Sequence, residues 1–213
     1  MFLRLITAIL FLASTSLPAS GADLPDRARQ IMAAAAVTYS TSFQWHCSRT
    51  TWTKAVDNPL IMGGLWAAYG FAPAYSVMRK DGVLEVRDPT GLAGTISTFR
   101  GRSGERIYVC DGRLDHWAVP FFNEGEAVFV LSAEAVRDST HGKVEVYVWA
   151  ASGIGNAVLE LGEVILRKHI DNRVTLNLQD ARKIVETIES SPATSAAMLR
   201  GPLAERFETV FAP

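Results

Sequence analysis

From Ser152 to Glu189 the chain runs without a proline, and its apolar residues fall at helical spacing. Val158, Leu161 and Ile165 share one face, and Ile170, Val174, Leu178, Ala181, Val185 and Ile188 continue it in steps of three and four. This periodicity predicts a long C-terminal helix, or two in succession. Gly155 and Gly162 stand seven apart on that same face, although a glycine costs a helix about 1 kcal/mol relative to alanine. Tight packing on a sheet explains them, and so does room left for a ligand. Val174–Leu178 alternates with period two, and Asn177 with Asp180 resembles a fresh N-cap, so a kink is expected there within a helix.

A helix of that kind needs a surface to cover, and the preceding residues supply one. Tyr75–Arg79, Val83–Arg87, Leu92–Arg100, Arg106–Cys110, Arg113–Trp117, Glu126–Ala133 and Lys143–Ala150 read as short strands separated by turn-forming clusters, the pattern of an antiparallel meander. Asp111-Gly112 suits a two-residue type I′ turn, which pairs Arg106–Cys110 with Arg113–Trp117. Asp138–Gly142 is expected to turn the chain into the last strand. There Val144, Val146 and Val148 alternate with Glu145, Tyr147 and Trp149, one face aliphatic and the other aromatic and partly polar. Further upstream, Leu24–Thr38 predicts a first helix capped by Asp23, Phe43–Trp52 a first strand, and Leu60–Tyr69 a second helix that starts at Asp57-Asn58-Pro59.

The ends suggest compartment and boundaries. Arg4 followed by the apolar run Leu5–Leu12, with small residues at Ala19–Ala22, reads as a secretory signal peptide over residues 1–22, so a periplasmic or secreted protein is expected. Residues 23–190 then form one α+β domain and residues 191–213 a tail, where Leu203, Phe207, Val210 and Phe211 make a short amphipathic stretch that docks on the body or binds an envelope partner. No later segment is apolar enough for a transmembrane anchor. With 21 basic against 22 acidic residues, nothing in the charge favours nucleic acid. The two cysteines, Cys47 and Cys110, are expected to form a disulfide in an oxidising compartment.

Helix, strand, short helix, a run of antiparallel strands and a long C-terminal helix resembles the helix-grip order of the START and Bet v 1-like superfamily. The resemblance spans roughly Ala22 to Glu189 and lies in element order. It implies a curved antiparallel sheet of seven to eight strands wrapped on the C-terminal helix, with a cavity that takes lipids, sterols or other apolar molecules. The export signal, the expected disulfide and the tail depart from that pattern. A closed barrel with a lipocalin-like pocket, or a half-barrel of the lipoprotein-carrier kind, accounts for many of the same strands.

Pockets are mostly apolar with a few polar groups. Trp66, Tyr69, Phe71, Tyr75, Trp117, Phe121, Phe122 and Trp149 are therefore expected to line one, with Val158 and Gly162 facing them from the helix. The same aromatics also suit a plain core. Asp115, His116 and Glu124 bring acid–base chemistry close together in sequence, but neighbours on a strand point to opposite faces, so a binding protein is favoured over an enzyme. No cofactor is expected, and His46, His141 and His169 lack the close spacing of metal ligands, so no metal site is expected either.

Overall fold

The computed structural model describes residues 23–72, 75–80, 83–87, 92–101, 104–114, 124–150 and 163–211. Seven strands form one antiparallel sheet in the order β1-β7-β6-β5-β4-β3-β2: β1 Val37–Trp45, β2 Ser76–Lys80, β3 Val83–Arg87, β4 Leu92–Arg100, β5 Arg106–Leu114, β6 Glu124–Val136 and β7 Ser139–Ala150. The helices are α1 Asp23–Ala34, α2 Arg49–Val56, α3 Pro59–Ala68, α4 Glu163–Ser190, α5 Pro192–Met198 and α6 Pro202–Phe211.

Side-chain alternation divides the sheet into two faces. Val144, Val146, Val148 and Ala150 of β7 point inward with Phe129 and Leu131 of β6 and Tyr108 of β5, into the main core with Ile61, Met62, Leu65 and Trp66 of α3. Full burial of each large apolar side chain contributes about 1.5–3 kcal/mol. The opposite face carries a smaller core, in which Ala28 and Ile31 of α1 cover Val109 and Val128. α1 is held there by Arg27, which donates to both carboxylate oxygens of Glu126, the Nε bond measuring 2.8 Å.

The long helix α4 runs as one continuous helix of 28 residues, with no second helix starting at Gln179. Val174, Asn177 and Leu178 are buried while Leu176 is 51% exposed, the placement of a helix and not of the strand that the local alternation suggested. Ile170, Ala181, Ile184, Val185 and Ile188 complete the buried face. Tyr39 on β1 donates to Asp171 at 2.5 Å, and Glu186 accepts from the backbone N–H of His46 at 2.8 Å. α4 therefore runs in the same direction as β1, which fixes its N-terminal turns over the Val37 end of the sheet.

Other local expectations are corrected. Thr50-Thr51-Trp52 belongs to α2 and not to the first strand, because Ser48 caps that helix by accepting from the backbone N–H of Thr51 at 3.1 Å and Trp52 is buried by it. Asp111-Gly112 makes no hairpin: both residues lie inside β5, whose neighbours are β4 and β6. The positive-φ glycines among the described residues are Gly70, Gly104 and Gly201, so Gly112 lacks the conformation a type I′ turn needs. Close approach is the reason for glycine in that region, since a Cβ on Gly94 would sit 2.6 Å from the carbonyl oxygen of Asp111. The β6–β7 turn comes earlier than expected, at Arg137-Asp138, with Arg137 at φ 53°. Gly142 then lies within β7, where the ring of Phe43 covers it.

The expected disulfide is also overturned, as Cys47 and Cys110 are free and buried. Their strands explain it. Three ladder steps separate β1 from β5, about 14 Å across the sheet. Along the strands the offset is larger still: Trp45, just before Cys47, pairs with Thr140, whereas Cys110 pairs through Ala127 to Val148, about 26 Å further along β7. A disulfide needs Cα atoms within about 7 Å.

The tail docks. Phe207 and Phe211 stack at 4.7 Å and are buried in the main core. Leu199 and Leu203 press on α3 at Gly64, where a Cβ would come within 3.0 Å and 2.9 Å of their methyl groups. The apolar face of Leu203–Phe211 is thus already covered by this chain.

Candidate functional site

Two regions of the sheet have the makings of a site, one on each face. On the inner face, four of the expected pocket residues come together where α3 leads into β2. Trp66 meets Phe71 edge-on at 5.4 Å and Tyr75 at 5.9 Å, and Tyr69 stacks on Phe71 at 5.1 Å. From α4, Lys183 lies 5.5 Å above the ring of Tyr69 and 5.6 Å above that of Phe71, and Arg173 donates to the hydroxyl of Tyr75 at 3.1 Å. Trp66 and Tyr75 are buried, so this end of the inner face is packed protein.

The cluster flanks a row in which the side chains become small, since Ser76, next to Tyr75, pairs with Arg87 and Val77 with Val86. The inner-facing residues in register across β3 to β7 are Val86, Gly94, Gly112, Gly125 and Ala150, and the next row includes Ile96, Cys110 and Ala127. Towards the opposite end, the corresponding positions on β5 and β6 hold Tyr108 with Phe129 and Arg106 with Leu131. The inner face therefore carries small residues at the Ala150 end of β7, where Gly125 and Ala150 are buried, and bulky side chains towards the other end. The cysteine in this row is chemically quiet: burial pushes the Cys110 thiol well above its ordinary range, with the Asp111 charge acting the same way. Burial also raises Cys47, to about 11.

The outer face carries a polar groove of about 570 Å³. One row of the register builds its floor: Glu85, Thr95, Asp111, Glu126 and Trp149 stand side by side on β3 to β7. Trp149, expected in the same pocket as Trp66, thus lies on the other side of the sheet, with the Arg27 guanidinium 5.1 Å from its ring centroid. The alternation of β7 already separated the aliphatic residues from Tyr147 and Trp149; what sequence could not supply was α1 as a cover for that second face. The Asp111 carboxyl is pushed up to about 6, first by loss of water and then by its hydrogen bond with, and repulsion from, Glu126, while Arg27 pulls the other way.

Trp117, Phe121, Phe122, Val158 and Gly162 lie outside the described residues, as do Asp115 and His116. Among the described residues no group of three His, Cys, Asp or Glu is placed to hold a metal ion. No described helix is long and apolar enough to cross a membrane.

No protein-family model matches the chain, and no curated protein does at a significant level. A conserved protein from Geobacillus kaustophilus superposes with a TM-score of 0.53 at 10% identity, over 71% of this chain and 97% of that one. Ara h 8.0201 gives 0.45 at 11% identity, over 70% and 96%, and a START superfamily protein from Mycobacterium smegmatis gives 0.38 at 13%, over 67% and 97%. With its antiparallel meander, the two short helices between β1 and β2 and the long helix after β7, the chain has the helix-grip fold that its element order led one to expect.

Proposed function

We propose that the protein binds an apolar or amphipathic, lipid-like small molecule between the inner face of the sheet and α4, and that it does so after export. The observation that carries the reading is the row Gly94, Gly112, Gly125 and Ala150, an inner-face row without large side chains. A helix-grip sheet normally fills that position either with its own residues or with a guest. A ligand that buries roughly 300 Å² of apolar surface there gains on the order of 7 kcal/mol before the cost of immobilisation is subtracted. Arg4 with the apolar run Leu5–Leu12 supports export, and the docked tail supports a structural role for α5 and α6.

Native mass spectrometry of the protein purified from its own cell envelope, followed by denaturing extraction, tests both parts. The expected result is a mature chain lacking residues 1–22 with a stoichiometric lipid-like molecule bound. Replacement of Ala127, in the inner-face row next to the glycines, by Leu is expected to lower occupancy. A ligand-free protein that also takes up no member of a lipid panel would count against binding, and a chain that retains residues 1–22 would count against export.

A further inference from the structure

Both α3 and α4 pack on the inner face of the sheet, and they are fastened to each other very differently at the two ends of α3. At the Pro59 end the fastening is an apolar strap. α5 and α6 follow α4 directly, Leu199 and Leu203 press on Gly64, Phe207 and Phe211 are buried in the main core, and Arg206 donates to Asn58 at 3.3 Å. Full burial of one such side chain is worth a factor of about 10–150 in an equilibrium constant. At the Tyr69 end the fastening is half exposed and built from cations. There the chain leaving α3 runs along α4, where Lys183 lies over the stacked rings of Tyr69 and Phe71 and Arg173 donates to the carbonyl oxygen of Ala72 at 3.3 Å and to the Tyr75 hydroxyl. A cation–π contact at an exposed site is worth a factor of about 2–5. Gly70 stands between the two rings at φ 69°, with nothing within 4 Å of where a Cβ would sit, so the corner has room to turn.

We infer that Tyr69–Ala72 is the door of the inner site: it swings off Lys183 and Arg173 while the strap keeps the Pro59 end of α3 in place. The inference rests on the binding reading above for its purpose, and on the unequal fastening of α3 for its geometry. Beyond this corner the chain joins the sheet at Ser76, and Val77, next along β2, is in register with Val86 and Gly94. Parting the corner from α4 therefore opens the inner face at the edge of the glycine row. Release of the strap instead would expose Phe207 and Phe211 and is disfavoured by orders of magnitude. Two buried thiols tell the routes apart. Cys110 lies in the row next to the glycines, and Cys47 lies about 26 Å away along the strands, just past Trp45.

The test is timed alkylation of the native, ligand-free protein with N-ethylmaleimide, each thiol followed separately by peptide mass spectrometry. A buried thiol reacts through an opening, so its rate reads how often that part of the fold is open. Lys183→Gln, at an exposed position, is expected to speed modification of Cys110 about 2–5-fold and to leave Cys47 unchanged. Equal acceleration of the two thiols would mean that the fold opens as a whole. That outcome overturns the door, as does an unchanged Cys110 or acceleration of Cys47 alone. Stopped-flow loading with parinaric acid, a fluorescent fatty acid, separates this inference from the binding reading. If the parent protein binds it, Lys183→Gln should load severalfold faster to the same plateau, and equal loading rates overturn the door. If no fatty acid binds, the binding reading suffers while the thiol rates still decide whether the corner opens.

Discussion

Replacing Asp111 by asparagine removes the one charge that the sheet is worst placed to hold. A carboxyl that titrates near 6 instead of its ordinary 3.8 costs the folded state about 3 kcal/mol once ionised. Asp111 is exposed to solvent, which screens that cost, and roughly 1 kcal/mol should survive. The sign follows from which state holds the proton. The folded chain binds it more tightly than the unfolded chain, so this contribution to stability is complete below about pH 4 and disappears as pH rises through 6. Asparagine keeps the shape and a hydrogen-bond donor towards Glu126 but has no proton to lose. Urea unfolding at pH 4, 5, 6 and 7 should give parent and variant nearly equal stability at pH 4. The variant should gain with each step, to about 1 kcal/mol at pH 7, equivalent to about 2–4 °C in melting temperature for a chain of this size. A difference that stays constant over this range, or that favours the parent at pH 7, would refute the account of the carboxyl pair.

Asp57, at the joint of α2 and α3, accepts two bonds from the buried Arg106, at 2.5 and 2.8 Å, and one from Arg100 at 2.9 Å. Asp57→Ala should destabilise by about 3–5 kcal/mol because it leaves a buried guanidinium uncompensated, and the Asp57→Ala/Arg106→Met double variant should recover much of that loss in the same urea assay. Phe207→Ala should cost about 3–5 kcal/mol in thermal or urea unfolding, as expected of a core aromatic; a loss below 1 kcal/mol would show that α6 is not held on the body and is free to engage a partner.

Strand and helix periodicity carried most of the architecture. The face of α4 from Ile170 to Ile188 and the inward valines of β7 were legible because burial imposes its period directly on the residues. Glycine was misread where it serves packing and not chain reversal: Gly112 resembles a turn residue, yet only the neighbouring strands reveal that backbone approaches backbone there. The same limit applies to Gly64, which looks like a weak point in a helix until Leu199 and Leu203 are seen against it. Cys47 and Cys110 invited a disulfide because the count of thiols is local information, whereas the three strand steps between β1 and β5 are not. By itself the sequence determined the long C-terminal helix, most strands of the meander and the aliphatic and aromatic sides of the last strand. Tertiary structure alone decided which side each helix covers, and hence that Trp66 and Trp149 belong to different sites. It also aligned three glycines into one bare row and two carboxyls into one strained pair, because register joins residues that the chain keeps far apart.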